Sequence, residues 1–371
     1  MTGQRTAVRR APGKLFVVGE YAVVEPGNPA VLVAVDRYVT VTLTGPAGHG
    51  VEISSDLGPR GARLRWSRGR LRPYGTGDGA DAGAGLAHVT GAIETVARLL
   101  AERGCPAPSF GVSIESDLHD HGTKYGLGSS AAVTVATVAA TAAYCGLALS
   151  AEERFRLALL ATAGIDPKGS GGDLAAGTWG GWIAYRAPDR DAVLALARER
   201  GIEEALRAPW PGFGVRRLPA PEGLALEVGW TGTPASTTAL VADLHRRQWR
   251  GTDAHRRFVR TTADCARAAA AALERRCGRE LKEQVRRARQ ELARLDDEVA
   301  LGIFTPRLTA LCEAAEAVGG AAKPSGAGGG DCGIALLDAA APHDIARLRE
   351  RWARAGVRPL RIRAAAEGNE E

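Results

Sequence analysis

The sequence predicts an α+β protein that is built from two domains. Its 371 residues, of which 45% are hydrophobic, are enough for more than one core. The first half combines strand-like alternation with apolar helices, whereas the second half has three charged amphipathic helices and then a short β-α-β pattern. Because a Pro- and Gly-rich stretch at 208–223 lies between the halves, we predict one domain at 1–207 and another at 222–365.

Apolar alternation predicts β structure in residues 7–55. Three strands are expected at 15–18, 30–35 and 38–43, with turns between them. Lys14 follows a Pro-Gly pair just before the first strand, and we expect it to project from a tight turn. A lysine in a turn is most often a solvated charge, so a role for Lys14 depends on what the fold brings near it.

A long surface segment is predicted next. Residues 56–85 are rich in Gly and Arg and predict an excursion with at most a short hairpin. A helix at 86–103 and a strand at 110–115 then lead into a glycine-rich turn.

This turn, Gly126-Leu127-Gly128-Ser129-Ser130, precedes a helix predicted at 129–144. Either serine is suited to cap the helix, and the free N–H groups and positive dipole at its start favour an anion. A hydroxyl there can also reach a metal ion that phosphates hold. An ordinary capped core helix after a turn would explain the same residues, so the interpretation depends on the other loops.

A second glycine-rich loop, at 166–173, ends in Asp173. The helix before it begins at a capping box formed by Ser150 and Glu153. Asp173 opens a short helix, which a strand at 181–185 follows. Its position suits an N-cap, and capping is compatible with a catalytic role.

The second domain is predicted to begin with a strand at 224–229, which leads into a polar turn that includes Ser236 and Thr237. Helices are expected at 252–276, 279–300 and 305–318. A third glycine-rich loop, at 323–333, is followed by a strand at 334–337, a helix at 342–355 and a strand near 357–362.

Charge and composition narrow the function classes. The net charge of +6 suits an anionic ligand, but the 48 basic residues form no tract typical of nucleic-acid binding. Only five of them are lysines, at 14, 124, 168, 282 and 323, and all but Lys282 lie in glycine-rich or Pro-Gly turns. We expect a chain so rich in Arg to keep Lys where a compact ammonium is needed.

Several other classes are excluded. The six cysteines show no close pairing, which favours reduced thiols in a cytoplasmic protein, and His119 and His121 have no further metal ligands near them in sequence. No apolar stretch is long enough for a membrane span. No P-loop occurs, and the one GxGxxG pattern, at 328–333, has its helix and strand in the wrong order for a dinucleotide-binding turn.

Three motifs, in this order and spacing, resemble those of the GHMP small-molecule kinases: APGKLFVVGEYAVV, KYGLGSSAAVTVA and KPSGAGGGDCGIAL. Within that family the chain is most similar to the phosphomevalonate kinase branch, because of the lysine that leads KYGLGSS, the segments GSGGDLAAGTWGGW and GWTGTPAST, and Asp331. The resemblance implies an N-terminal domain like domain 2 of ribosomal protein S5 and a ferredoxin-like C-terminal domain.

The resemblance also implies ATP and Mg²⁺ as cofactors and transfer of the γ-phosphoryl group to (R)-5-phosphomevalonate. A homodimer is one option for the assembly; no nucleic acid or membrane partner is expected. The implied catalytic pair is Lys14 and Asp173. The implied nucleotide site is Gly126, Leu127, Gly128, Ser129, Ser130 and Ala131, with Ser130 (or Ser129) on the metal. The implied acceptor site is Lys14, Tyr21, Lys124, Ser236, Thr237, Ser325, Gly326, Ala327, Gly328 and Asp331. The loop at 325–330 is expected to close over both ligands.

Asp166-Pro167-Lys168 departs from the Gln-Gly-Asn pattern that this branch usually has, which leaves a second metal ligand and the role of Lys168 open. A phosphate acceptor is largely dianionic at neutral pH, so it needs positive charge more than a base. We therefore interpret Asp173 mainly as a residue that orients Lys14 and the acceptor, with base catalysis secondary. The alternatives are a mevalonate kinase, which acts on a neutral hydroxyl, or another GHMP small-molecule kinase, and a ligand-binding regulator that has lost catalysis.

Overall fold

The structure is a computed structural model. It describes residues 5–45, 50–56, 61–74, 82–234, 240, 244 and 249–366. Within these ranges the chain forms two lobes, each a β-sheet with helices packed on it, so the α+β prediction is confirmed. None of the described helices is both long and apolar enough to cross a bilayer.

The first lobe is organised around one long strand that pairs with three others. The strands of its sheet are β1 (Ala7–Val18), β2 (Pro29–Thr44), β3 (Val51–Ser55), β4 (Ala62–Ser67), β5 (Arg70–Pro73), β6 (Phe110–Ser116), β9 (Trp182–Arg186) and β10 (Gly214–Leu218). Their order is β10-β9-β2-β6-β3-β4-β5, and β1 also pairs with β2. Only β3 and β6 are parallel. β7 (His119–Asp120) and β8 (Thr123–Lys124) pair with each other in a separate two-stranded antiparallel sheet.

Two expectations about the first strands were wrong. β2 is continuous where two strands were predicted, because a register shift between Pro12 and Gly13 lets Asp36 and Arg37 bulge without ending the strand. Lys14 lies inside β1, not in a turn, since β1 begins at Ala7 and pairs with β2 on both sides of the shift. The short hairpin predicted within 56–85 is present as β4 and β5.

Helices cover this sheet, and the helix predicted after the first glycine loop is confirmed with its bounds. The helices of the lobe are α1 (Ala82–Glu102), α2 (Ser129–Tyr144), α3 (Ala151–Thr162), α4 (Gly172–Trp179) and α5 (Arg190–Arg207). α2 packs against β1, β2 and α1, which explains its run of Ala, Val and Thr. The predicted capping box of α3 is also present, with both reciprocal hydrogen bonds.

The second lobe has an antiparallel sheet in the order β12-β13-β11-β14. Its strands are β11 (Leu224–Trp230), β12 (Ala321–Pro324), β13 (Cys332–Asp338) and β14 (Arg358–Leu360). Its helices are α6 (Asp253–Glu274), α7 (Gly278–Val299), α8 (Pro306–Glu316) and α9 (Pro342–Arg354). Strand β12 was not predicted, and it contains Lys323, which was assigned to a glycine-rich turn.

The Pro- and Gly-rich stretch at 208–223, which was predicted to lie between the domains, contains a strand of the first sheet. β10 lies inside it and pairs with β9, so the first sheet continues to Leu218. The lobes also share one hydrophobic core, which includes Val228 and Trp230 of β11 beside the strands of the first sheet. The other domain bounds stay predictions.

Candidate active site

A cleft of about 610 Å³ lies where the three glycine-rich loops meet. Most of the predicted site residues line it, namely Lys14, Tyr21, Lys124, Gly126, Gly128, Ser129, Ser130, Ala131, Asp173, Gly326, Ala327 and Asp331. Segments that are far apart in sequence are therefore brought to one place, as the predicted common site requires.

Three predicted residues do not line the cleft, so their contacts with ligands stay predictions. Leu127 is buried, and its carbonyl accepts a hydrogen bond from the Lys14 N–H at 2.8 Å. The Ser325 hydroxyl is engaged with the backbone of Phe16, and Gly328 packs against Ile303. The predicted contacts of Ser236 and Thr237 lie outside the described residues.

The start of α2 is capped by a glycine, not by a serine. Gly128 is the N-cap residue with φ of +81°, and no side chain caps the helix. A Cβ on Gly128 would lie 3.3 Å from Lys14 Cγ and 3.6 Å from Asp173 Cβ, so only glycine fits both the backbone and the space. The Ser129 and Ser130 hydroxyls therefore stay free of capping bonds, and the first N–H groups of α2 face the cleft without intrahelical partners.

Lys14 is a buried cation that is paired with none of the described carboxylates. Its residue is only 8% exposed, and among the described residues no carboxylate lies within salt-bridge distance of its ammonium. The Nζ atom lies 5.4 Å from the centre of the Phe16 ring and 3.9 Å from where a Cβ on Gly326 would be. A buried, uncompensated ammonium is costly, so this position favours an anionic ligand.

Asp173 faces Lys14 across Gly128. It is the second residue of α4, whose N-cap is Gly171, so the predicted capping role was wrong. Its Oδ1 accepts a hydrogen bond from the N–H of Leu174 at 3.0 Å. No ion pair joins Asp173 to Lys14 in this structure, so the predicted orienting role does not take the form of a direct contact. Both side chains therefore remain available to ligands.

The third glycine loop is already attached to the first motif. Phe16 N–H donates to the Ser325 hydroxyl at 2.8 Å, and that hydroxyl donates to the Phe16 carbonyl at 3.1 Å. The Tyr21 hydroxyl donates to the Ala327 carbonyl at 2.5 Å, and burial raises the pKa of Tyr21 well above its ordinary value. The predicted closure of this loop over the ligands is thus not needed to bring Gly326 to Lys14, because the loop already lies there.

Asp331 and Lys124 flank the first glycine loop. A Cβ on Gly126, whose φ is +80°, would lie 2.2 Å from Asp331 Cγ, so Gly126 allows this carboxylate to approach the loop. The backbone of Asp331 is tied to Thr231 and Thr233 by hydrogen bonds of 2.9 and 2.8 Å. Lys124 is exposed at the end of β8 and places its charge at the rim of the cleft.

Sequence reasoning missed His88, which lines the cleft from α1. Thr134 donates its one hydroxyl proton to the Ser130 carbonyl at 2.8 Å, so it must accept from Nδ1–H of His88, which is 3.3 Å away. His88 is therefore the Nδ1–H tautomer when neutral. Burial, and secondarily the charge of Lys124, lower the pKa of His88 against the opposing effects of Asp173 and Asp166. No sequence motif signals this histidine.

Arg190 was also missed. It begins α5 and donates a hydrogen bond to the Gly169 carbonyl, which fixes the second glycine loop. Its Nε and Nη2 atoms are buried and have no hydrogen-bond partner among the described residues. Burial lowers its pKa, although Tyr185, Asp166 and Asp173 act in the opposite direction. The arginine therefore adds positive charge to the wall of the cleft.

The donor atoms of the cleft fit a magnesium ion that is held mainly by a ligand. In the part of the chain that the structure describes, no group of three or more His, Cys, Asp or Glu residues forms a metal cage. The free hydroxyls of Ser129 and Ser130 and the Asp173 carboxylate offer a few hard oxygen ligands instead, which suits Mg²⁺ bound chiefly to phosphates and water.

Known proteins are similar to this chain in sequence over its whole length. The model of the GHMP kinases N terminal domain matches residues 87–181, and the model of the GHMP kinases C terminal matches residues 269–354. The chain is 67% identical to the phosphomevalonate kinase of Streptomyces sp. (strain CL190), over 99% of this chain and 99% of that protein.

Solved structures are similar in fold as well. The Lin0012 protein from Listeria innocua has a TM-score of 0.88 at 32% sequence identity. The similarity covers 98% of this chain and 99% of the Lin0012 chain. The phosphomevalonate kinase of Streptococcus pneumoniae, in complex with phosphomevalonate and AMPPNP, has a TM-score of 0.82 at 27% sequence identity. The similarity covers 96% of this chain and 99% of the Streptococcus pneumoniae chain.

Proposed function

The chain belongs to the GHMP kinase family, as its three motifs predicted, and from this premise we propose that it transfers the γ-phosphoryl group of ATP to (R)-5-phosphomevalonate. The observation that carries the proposal is the 67% identity with a phosphomevalonate kinase over 99% of both chains. The two-domain GHMP kinase fold is confirmed. The cleft described above supplies the chemistry that this reaction needs.

The start of α2 binds the nucleotide phosphates in this proposal. Backbone N–H groups of residues 126–131 and the positive end of the helix dipole act on the phosphate oxygens. When bound, Mg²⁺ neutralises part of the charge on the transferred group, and the Ser130 (or Ser129) hydroxyl would hold it.

The acceptor lies against Lys14, Lys124, Tyr21 and the third glycine loop. An oxygen of its phosphate forms the new bond to the γ-phosphorus, and the bond from that phosphorus to the bridging oxygen of ADP breaks. Because the acceptor phosphate is already largely dianionic, the protein has to offset repulsion between two anions. The ammonium of Lys14 is suited to that task because no carboxylate of the described residues is paired with it.

The test is ADP release by the purified protein with ATP, with and without Mg²⁺, measured separately with (R)-5-phosphomevalonate and with mevalonate. We expect metal-dependent turnover with phosphomevalonate and a kcat/KM at least about a hundredfold lower with mevalonate. Phosphorus NMR should show a diphosphate as the product. A preference for mevalonate would favour the mevalonate kinase alternative, and absence of turnover with both would favour a regulator.

The remaining proposals concern the cellular location, the partners and the oligomeric state of the enzyme. We place it in the cytoplasm, where its six free cysteines would stay reduced. No nucleic-acid or membrane partner is proposed, and a homodimer stays a prediction that light scattering would test.

A further inference from the structure

Glu20 and Lys323 form a fully buried ion pair beside the cleft. The Lys323 ammonium is paired with Glu20 Oε1 and also donates to the Pro324 carbonyl at 2.7 Å. The Lys323 side chain is 0% exposed and that of Glu20 is 3% exposed. Burial lowers the pKa of Lys323, and the adjacent Glu20 carboxylate opposes this effect. The phosphoryl-transfer scheme above makes no use of this pair.

Gly326 connects this pair to Lys14. Its N–H donates to Glu20 Oε1 at 3.4 Å, and a Cβ on it would lie 3.9 Å from Lys14 Nζ. The Lys14 ammonium is also close enough to act on the pKa of Lys323. Glu20 thus has two ammonium groups in its surroundings but is paired with only one of them. The paired one is the lysine that does not line the cleft.

We propose that Lys323 is a positioning residue, which occupies Glu20 so that the Lys14 ammonium remains unpaired and available to the transferred phosphoryl group. The inference rests on the proposed function. Glu20, which lies within the first motif, would otherwise hold Lys14 as a counter-ion, because a buried carboxylate without a partner strongly favours any ammonium that can reach it. Lys14 has a flexible four-carbon stem that allows such a movement.

The decisive comparison is among Lys323→Met, Glu20→Gln and the double variant. Lys323→Met leaves the Glu20 carboxylate to capture Lys14, so we expect kcat to fall at least about a hundredfold. Glu20→Gln removes the carboxylate, and we expect kcat within about tenfold of wild type. The double variant also lacks the carboxylate, so it should recover at least about tenfold in kcat relative to Lys323→Met.

A purely structural ion pair predicts a different order. In that case both single variants lose activity in parallel with stability, and the double variant is no better than Lys323→Met; this result would overturn the proposal. The wild type, assayed in parallel with ATP and phosphomevalonate, separates this failure from failure of the proposed function. Arg349→Met is the matched control: it leaves the buried Glu227, which does not line the cleft, without its arginine partner, and kcat should not change.

A second measurement does not require Lys323→Met to fold, because it observes the few lysine side chains of this protein directly. The chain has five lysines, so ¹³Cε-labelled lysine gives at most five side-chain signals. Glu20→Gln should shift the Lys323 signal and leave the Lys14 signal in place. A large shift of the Lys14 signal instead would mean that Glu20 already pairs with Lys14 in solution, which contradicts the proposal.

Discussion

Lys14 and Asp173 are the two residues on which the proposed chemistry depends most directly. They come from two different elements of the first lobe, β1 and α4, and meet on either side of Gly128 without forming an ion pair. Local sequence placed both residues near glycine-rich loops, but it assigned Lys14 to a turn and Asp173 to a cap. The actual backbone positions depend on long-range pairing with β2 and on the conformation of Gly171, which local patterns do not encode.

Substitution of each residue should affect turnover differently. Lys14→Met removes the ammonium that offsets repulsion between the two phosphates, so we expect kcat to fall by about a thousandfold or more. Asp173→Asn keeps shape and hydrogen bonding, and because the acceptor needs little deprotonation we expect a loss of about tenfold. Steady-state kinetics with phosphomevalonate at saturating Mg²⁺ measures both. Equal and complete losses would instead indicate that Asp173 is an essential base or metal ligand.

His88 should make the protein less stable in acid. Burial holds its folded pKa below the ordinary value of 6.5, so the unfolded chain binds the proton more readily. The free energy of unfolding therefore falls as the pH drops below about 6.5, until the pH passes below the folded pKa. The melting temperature of wild type and of His88→Gln, compared between pH 5 and 7.5, measures this contribution. The variant should lose less stability over that range, and parallel curves would contradict the assignment.

At the scale of elements, periodicity predicted most of the helices, although α5 was not predicted, and it predicted the strands less well. The helix at 129–144 was predicted with its observed bounds, because an uninterrupted Ala, Val and Thr run ends at a glycine. Strand β12 was missed, since a four-residue strand next to six glycines has little pattern of its own and is defined by pairing with β13. The residues that surround the site from outside the motifs, His88 and Arg190, were missed for a similar reason: only tertiary packing brings them there.

Substitution of Gly128, the N-cap residue of α2, should lower both stability and kcat. Gly128→Ala puts a side chain on a left-handed backbone and 3.3 Å from Lys14 Cγ, so it should displace Lys14 as well as strain the turn. We expect a stability loss of about 1–2 kcal/mol and a fall in kcat of at least about tenfold. Gly104→Ala is the matched control, because Gly104 has φ of +72° and nothing within 4 Å of its added Cβ. It should lose similar stability and keep its kcat; a matching loss of kcat would show that strain alone explains the effect.

On the scale of the whole molecule, the two lobes are joined at the site itself. Residues 16–21 of the first motif bond to residues 323–327 of the third through Ser325, the Glu20–Lys323 pair and Tyr21, and a single hydrophobic core includes parts of both sheets. The three motifs were recognised as a set, but their sequences do not show that the third loop is fixed to the first. Since the third loop already lies against the first motif, any closure on ligands is expected to involve other segments.

This joined architecture predicts that both lobes unfold together. Urea transitions followed by far-UV circular dichroism and by tryptophan fluorescence should coincide in the wild type, because tryptophans such as Trp182 and Trp352 lie in different lobes. Ser325→Ala leaves the buried Phe16 N–H without its partner, so we expect the free energy of unfolding to fall by about 1–3 kcal/mol. If the wild type instead showed two separate transitions, the bonds between the motifs would not couple the lobes, and the acceptor side would have to assemble when ligands bind.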